Sequence, residues 1–282
     1  MLLPLVCLAF PASNAFAQGI NWQGQTGAFI TPFAYNSPSK KNKLGRPNLS
    51  FHYLSGGEVV GDNFQTSVTF GAFDRAEFGY TRTFTKTGST PGLSPLFAGG
   101  FNTFHGKVNV LPENFKKNKA VPAISVGFVA RTQVRRVGGR LTNEDTTNGD
   151  LYIVATKTIT QIEKLPIVLN FGIKATNASL MGLAGNASAW KGRMFGAAAV
   201  VVPGPLKSKL VLGTEFSQEP RHIKDLPGAT IPTSRTYFVR VLPMPEKPFN
   251  IDFGIAQAAG KIAPGVDVKA RNRFAMGVSY RF

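Results

Sequence analysis

The chain has 282 residues, with 32 lysines and arginines against 15 aspartates and glutamates, which gives a formal net charge of +17. Hydrophobic residues make up 43% of it, and beyond its first 17 residues no stretch supplies the roughly 18 apolar residues that a membrane-spanning helix requires. Thirty glycines, 23 phenylalanines and many Thr and Val residues favour strands and turns. The composition therefore excludes a helical membrane protein and predicts an all-β chain with one large domain.

Residues 1–17 have the pattern of a signal peptide. An apolar run is followed by Asn14-Ala15-Phe16-Ala17, a small-x-small cleavage pattern, so we expect export with cleavage after Ala17. The alternative is a short buried hydrophobic segment. Cys7 is the only cysteine, so the mature chain has no disulfide and no cysteine metal site.

Residues 18–46 form the second predicted unit, and within them residues 27–36 have the composition of a strand. Barrels with both termini in the periplasm have an even number of strands, and Pro32 lacks the N–H that a strand ladder needs. We therefore place 18–46 outside the barrel wall, as a segment that enters the lumen or lies beneath it in the periplasm. The alternative is that 27–36 is a wall strand and a fourteenth strand lies within 178–190.

Residues 47–282 alternate large apolar side chains with small or polar ones in runs of about ten, separated by turn residues. This is the pattern of a transmembrane barrel, because lipid on one side of each strand demands apolar side chains there. The runs predict a single antiparallel β-barrel of about twelve strands. Their predicted bounds are 47–56, 64–73, 74–85, 101–112, 121–133, 149–160, 165–175, 192–203, 207–217, 234–244, 248–257 and 272–282.

The connections and the C-terminus indicate the outer membrane. Short links such as 203–206 alternate with long ones such as 86–100, as periplasmic turns alternate with extracellular loops. The last strand ends in Phe282, typical of the strand through which the barrel-assembly machinery binds its substrates. Outer-membrane lipids and lipopolysaccharide are the other expected partners, because basic clusters such as Lys40-Lys41 suit anionic headgroups. No nucleic-acid motif is present, and the oligomeric state stays open.

Three segments carry a resemblance: residues 27–34 (GAFITPFA), 67–82 (SVTFGAFDRAEFGYTR) and 122–128 (PAISVGF). They resemble those of an uncharacterised family of proteobacterial and acidobacterial outer-membrane barrels, and their order is similar to that in the YjbH-type barrels linked to exopolysaccharide production. The resemblance implies a barrel without a known activity. An exopolysaccharide role is a further alternative, although this chain has only a single barrel's length.

Strand alternation also predicts which ionisable side chains face the lumen, and the cations outnumber the carboxylates among them. A positive lining would favour anions in a pore, unless the charges pair with one another and close it. The predicted lumen-lining residues are Lys107, Arg131, Lys174, Arg240, Arg281, Glu77, Glu215, Asp252, His52 and His105.

These patterns favour a narrow diffusion channel for small anionic or polysaccharide-like solutes. The main alternative is a non-conducting barrel with a structural or surface-attachment role. No nucleophile is paired with a base in the sequence, and no metal-ligand spacing is present, so we expect no enzymatic activity, no catalytic residue, no metal and no cofactor.

Overall fold

The computed structural model describes residues 19–135, 145–160, 165–224, 226–244 and 248–282. The predicted signal peptide lies outside these residues, so its cleavage stays a prediction. The described chain forms one sheet, fourteen strands in all, of which β10 (His222–Ile223) and β13 (Val266–Asp267) have only two residues each.

The remaining twelve strands form the wall of a barrel. They are β1 (Asn48–Ser55), β2 (Asp62–Ala72), β3 (Ala76–Lys86), β4 (Gly99–Leu111), β5 (Ala123–Arg135), β6 (Asp145–Ile159), β7 (Ile167–Ala178), β8 (Asn186–Pro203), β9 (Lys209–Gln218), β11 (Leu226–Leu242), β12 (Phe249–Ala263) and β14 (Ala270–Arg281).

Every wall strand is antiparallel to both neighbours, and the barrel closes where β1 pairs with β14, from Asn48 opposite Arg281 to Leu54 opposite Ala275. Closure leaves no unpaired strand edge, which satisfies the backbone hydrogen bonds without water. The prediction of an all-β antiparallel barrel with twelve wall strands is confirmed. The predicted bounds fall short at one end of the barrel, the end predicted to be extracellular and named so below, because β8 begins at Asn186 and β11 at Leu226.

The two faces of the wall differ as the alternation predicts. On β7, Leu169, Phe171 and Ile173 are 46 to 53% exposed on the outside, whereas Val168 and Asn170 are buried inside. Aromatic pairs such as Tyr53–Phe64 and Tyr80–Phe104 also lie on the outer face. An apolar belt of this kind is stable only against an apolar solvent.

The loops at the extracellular end fold across the barrel mouth. A four-residue helix (Gly57–Val60) and two 3₁₀ turns (Ser94–Phe97 and Leu180–Gly182) bring apolar side chains over the lumen. They form a buried cluster that includes Val60, Phe97, Phe101, Leu183 and Ile231. In the part of the chain that the structure describes, no helix is long and apolar enough to cross a membrane.

Candidate functional site: the occupied lumen

The N-terminal segment lies inside the barrel. Residues 19–37, here called the lumen segment, lie outside the wall and enter the lumen from the end opposite the predicted extracellular one, called the periplasmic end below. The segment is built from tight turns. Asn21 Oδ1 accepts hydrogen bonds from the N–H groups of Gln23 and Gln25, both at 2.9 Å, and Gly24 takes a left-handed φ of 89°. An Asx turn with glycine folds the backbone back on itself in little space.

Three large rings fill the centre of the barrel. Trp22, Phe29 and Phe33 are at most 1% exposed, and Trp22 stacks on Phe29 with 6.5 Å between ring centroids. His52 of the wall meets both rings edge-on, at 6.1 and 5.7 Å, and its Nε2 lies 3.0 Å from the carbonyl oxygen of Ile20. The three rings share one buried apolar cluster with wall side chains, among them Val168, Val211 and Phe238.

Glu215 of β9 holds the tip of the lumen segment. Its carboxylate accepts backbone N–H groups from Phe29, Ile30 and Thr31 at 2.7 to 2.9 Å, and the Thr31 hydroxyl at 2.8 Å. Glu215 is 2% exposed and has no ion-pair partner among the described residues. Consecutive N–H groups therefore take the place of a counter-ion, as in backbone anion nests.

A second carboxylate, Glu77 of β3, holds the base of the lumen segment. It accepts the N–H groups of Thr26 at 2.9 Å and Ser37 at 2.6 Å, and it bonds the Thr26 hydroxyl. Lys107 of β4 lies 3.2 Å from Glu77 and donates to the carbonyl oxygens of Thr26 and Phe33. This buried pair therefore satisfies donors and acceptors of the segment together.

Arg240 of β11 repeats this arrangement with Asp252 of β12. Two parallel hydrogen bonds of 2.7 and 2.9 Å join the guanidinium to the carboxylate. The other face of the guanidinium donates to the carbonyl oxygens of Gly27 at 2.9 Å and Ala28 at 3.1 Å. Neutral wall side chains add further contacts, such as Asn170 to the Pro32 carbonyl at 3.1 Å.

A second group of charges lies nearer the extracellular end, and we call it the upper cluster: Arg131, Asp150, Lys174 and Glu219. Arg131 pairs with Asp150 at 2.6 Å, and Lys174 donates to Glu219 at 3.4 Å and to Ser217 at 2.9 Å. Within the described residues, none of the four bonds the lumen segment. Glu219 lies just beyond the end of β9, where burial raises the pKa of its carboxyl and Lys174 opposes that shift.

The upper cluster lies beneath an extracellular loop that enters the barrel, residues 179–185, which we call the cap loop. Its residues Leu180, Met181, Leu183 and Ala184 are 0 to 8% exposed. Gly182 lies so close to Arg131 that a Cβ there would come 2.8 Å from the arginine Cδ. Met181 belongs to the same apolar cluster as Trp22, Phe29 and Ile30. The lumen segment and the cap loop therefore meet inside the barrel.

All ten predicted lumen residues are on the inner face, and they are brought together in pairs rather than along an open pore. Glu77, Lys107, Glu215, Arg240 and His52 contact the lumen segment, and Asp252 pairs with Arg240. His105 is buried beside the segment, Arg131 and Lys174 belong to the upper cluster, and Arg281, half-buried, lies at the periplasmic end.

Two carboxylates outside the predicted set, Asp150 and Glu219, pair with Arg131 and Lys174. Once they are counted, five inward cations face five inward carboxylates, so the expected excess of positive charge is not found among these residues. Alternation contained a signal for Asp150, because it shares the inner face of β6 with Tyr152 and Val154. Strand alternation cannot predict the direction of the Glu219 side chain, because Glu219 lies beyond the end of β9.

Fold and site together define a class of protein: a twelve-stranded antiparallel β-barrel whose lumen is filled by its own N-terminal segment. Residues 20–264 match a family described as a protein of unknown function, DUF3034, and the chain belongs to that family. No curated protein matches the sequence.

The solved structures that are similar in shape include two porins and an outer membrane channel. The KdgM porin is 8% identical, with 83% of this chain and 99% of that chain covered and a TM-score of 0.47. The NanC porin is 11% identical, with 84% and 100% covered and a TM-score of 0.47. An outer membrane channel from Pseudomonas putida F1 is 11% identical, with 86% and 97% covered and a TM-score of 0.44. These matches describe shape only. None of them supports the similarity to YjbH-type barrels.

Proposed function

We propose that this protein is an outer-membrane diffusion channel for small polar solutes, closed at rest by the lumen segment and opened when that segment leaves. One observation carries the proposal: much of the wall behind the lumen segment is polar, although Val168, Val211 and Phe238 form an apolar side against its aromatic rings. A barrel filled for stability alone packs its interior with side chains of the wall itself. Here the wall presents small hydroxyl and amide groups that water solvates well, including Ser50, Gln65, Ser67, Thr81, Thr103, Ser125, Thr156, Thr236 and Ser279.

The lumen segment is held by side-chain hydrogen bonds and packing alone. Its hydrogen bonds run to wall side chains such as Glu215 and Arg240, and it adds no strand to the wall ladder. Each wall group that releases the segment gains water in exchange, so the opened lumen has no buried unpaired charge. Since Lys107, Arg131, Lys174 and Arg240 are each paired with a carboxylate, this geometry favours solutes of low net charge over the anions expected from the sequence.

Deletion of residues 19–37 from the mature chain tests the channel. We expect the purified, refolded variant to show discrete single-channel currents in planar bilayers, and the full-length protein to be closed for most of the recording. A synthetic peptide of residues 19–37, added from the side of the periplasmic turns, is expected to block these currents, and a scrambled peptide is the control. A truncated barrel that keeps heat-modifiable mobility on a gel and yet conducts nothing would contradict the proposal.

A specific observation favours the second candidate, a non-conducting structural or surface-attachment barrel. Both ends of the lumen are occupied, the periplasmic half by the lumen segment and the extracellular mouth by the cluster around Phe97 and Leu183. Two independent closures suit a barrel that never opens. The conductance of the chain without residues 19–37 distinguishes the candidates. A channel conducts once the lumen segment is removed, because thermal movement opens the loops at the extracellular mouth, whereas a structural barrel stays closed.

The proposed membrane location predicts a depth-dependent cost on the outer face. Phe171 lies near the middle of β7 and is 52% exposed there. We expect Phe171→Arg to destabilise the barrel in lipid vesicles by about 2–4 kcal/mol, because a cation then lies in hydrocarbon. Leu206→Arg is the matched control, since Leu206 is 96% exposed in a turn outside the wall. Equal urea unfolding midpoints for the two variants would argue against a membrane-embedded β7.

A further inference from the structure

We propose that the upper cluster, Arg131, Asp150, Lys174 and Glu219, is a binding site for a small zwitterionic solute of the amino-acid type, covered at rest by the cap loop. The inference rests on the proposed channel function and names its solute class. It begins from a division of the lumenal charges: those of the lower lumen bind the lumen segment, and those of the upper cluster do not.

The arrangement of the upper cluster determines what it would bind. Two cations, Arg131 and Lys174, project from the inner faces of β5 and β7, and Asp150 of β6 lies between these strands. Glu219 joins Lys174 from the end of β9. A solute carboxylate fits the guanidinium and ammonium groups, and a solute ammonium fits the two carboxylates. A purely anionic solute would meet Asp150 and Glu219 without compensation, so the cluster disfavours it.

The cluster also holds hydrogen-bonding capacity that the protein leaves unused. Arg131 Nε, Asp150 Oδ1 and Glu219 Oε2 have no hydrogen-bond partner among the described residues, although the three residues are at most 5% exposed. Buried polar atoms are nearly always bonded, so one free donor and two free acceptors in a single cluster indicate a ligand or a water that completes them. The free donor belongs to a cation and the two free acceptors to carboxylates, which matches the two ends of a zwitterion.

Space for a solute appears only when the cap loop moves. The cavity beside Asp150, Lys174 and Ser217 has a volume of about 20 Å³, room for a single water. The lumen segment bounds it on one side, and Met181 of the cap loop also lines it. The cap loop occupies the adjoining space, and its backbone is strained there. Leu180 and Met181 have left-handed φ values of 47° and 54°, and glycines with positive φ, Gly182 and Gly185, follow them. Non-glycine residues rarely take this conformation, so displacement of the loop relieves strain.

Binding is tested on the full mature chain in detergent micelles, independently of conduction. The probes are free glycine as the zwitterion, acetate as the anion and methylammonium as the cation, followed by saturation-transfer difference NMR and equilibrium dialysis. We expect glycine to bind at least tenfold more tightly than either singly charged probe. Acetate binding as tight as that of glycine would overturn the proposal.

Substitutions that neutralise both members of an ion pair locate the site, because no buried charge is left without its counter-charge. Arg131→Gln with Asp150→Asn is expected to weaken glycine binding at least tenfold, and Lys174→Gln with Glu219→Gln does the same should the first pair fail to fold. The control is Lys269→Gln with Glu58→Gln, which removes a solvent-exposed ion pair of 3.1 Å elsewhere and should leave binding unchanged. Replacement of residues 180–184 by glycines should tighten binding, because the cap loop then competes less.

Outcomes for the site and for the channel separate cleanly. Glycine binding that is lost in the paired variants supports the site. If the truncated barrel also conducts nothing, only the channel function is overturned. Conduction by the truncated barrel, with glycine binding absent or unchanged in both paired variants, would overturn the site and leave the channel.

Discussion

Replacing Glu215 with Ala is expected to release the tip of the lumen segment from the wall. The substitution removes the acceptor of three backbone N–H groups and of the Thr31 hydroxyl, all of which are buried. Hydrogen bonds to a charged group contribute about 1.5–3 kcal/mol each and are not additive, so we expect the closed state to lose about 3–5 kcal/mol relative to a state with the segment withdrawn.

The protein contains a suitable reporter for this change. Trp22 of the lumen segment is fully buried, whereas Trp190, the second of the two tryptophans, is 52% exposed. In a Trp190→Phe background, acrylamide should quench Trp22 weakly in the parent and strongly after Glu215→Ala. Glu215→Gln, which keeps one acceptor oxygen, should fall between them. Unchanged quenching in the alanine variant would mean that the aromatic contacts of Trp22 and Phe29 hold the segment without Glu215.

The wall was predictable because one physical constraint acts on every strand. Lipid on the outside forces a large apolar residue at every second position, as at Leu169, Phe171 and Ile173, and this period survives in a single sequence. The constraint ends at the membrane surface. Residues 186–191 of β8 continue the ladder with both faces near water, so no alternation marks them, and the predicted start at 192 was too late.

The place of the lumen segment was predictable in outline and its attachment was not. Strand parity and Pro32 predicted that residues 27–36 lie outside the wall, and in the structure none of the wall strands contains them. The bonds that fix it join positions far apart, such as Glu215 to the N–H groups of Phe29, Ile30 and Thr31. Almost every residue carries the same backbone N–H group. The partner of a carboxylate that binds such groups therefore cannot be recognised from the residue types in the sequence.

The predicted positive charge of the lumen was wrong because each inward residue was considered without its neighbours. Alternation identified Arg131 and Lys174 correctly as inward cations, and from these an anion-attracting pore was inferred. A buried cation needs a counter-charge or several hydrogen bonds, and so each inward cation itself predicts a nearby carboxylate. Applied to Arg131, this rule points to the neighbouring strand β6, where Asp150 meets it at 2.6 Å.

Arg240 is the position where loss of a charge should cost the most. Its guanidinium is 1% exposed, joins Asp252 through two hydrogen bonds and bonds the carbonyl oxygens of Gly27 and Ala28. Arg240→Met leaves the Asp252 carboxylate buried without a partner, and such a loss costs about 3–5 kcal/mol. We expect a matching fall in the free energy of unfolding, measured by urea denaturation in lipid vesicles.

A double substitution separates the buried charge from the lost hydrogen bonds. Adding Asp252→Asn to Arg240→Met removes the uncompensated carboxylate, so most of the stability should return, because a neutral pair of similar size is often tolerated at a buried ion-pair site. The two carbonyl oxygens of the lumen segment still lack their donor in this double variant, so Trp22 should stay more accessible to acrylamide than in the parent. Full recovery of both stability and quenching would show that Arg240 serves the wall alone. Recovery of stability with persistent quenching would identify Arg240 as a residue that holds the lumen closed.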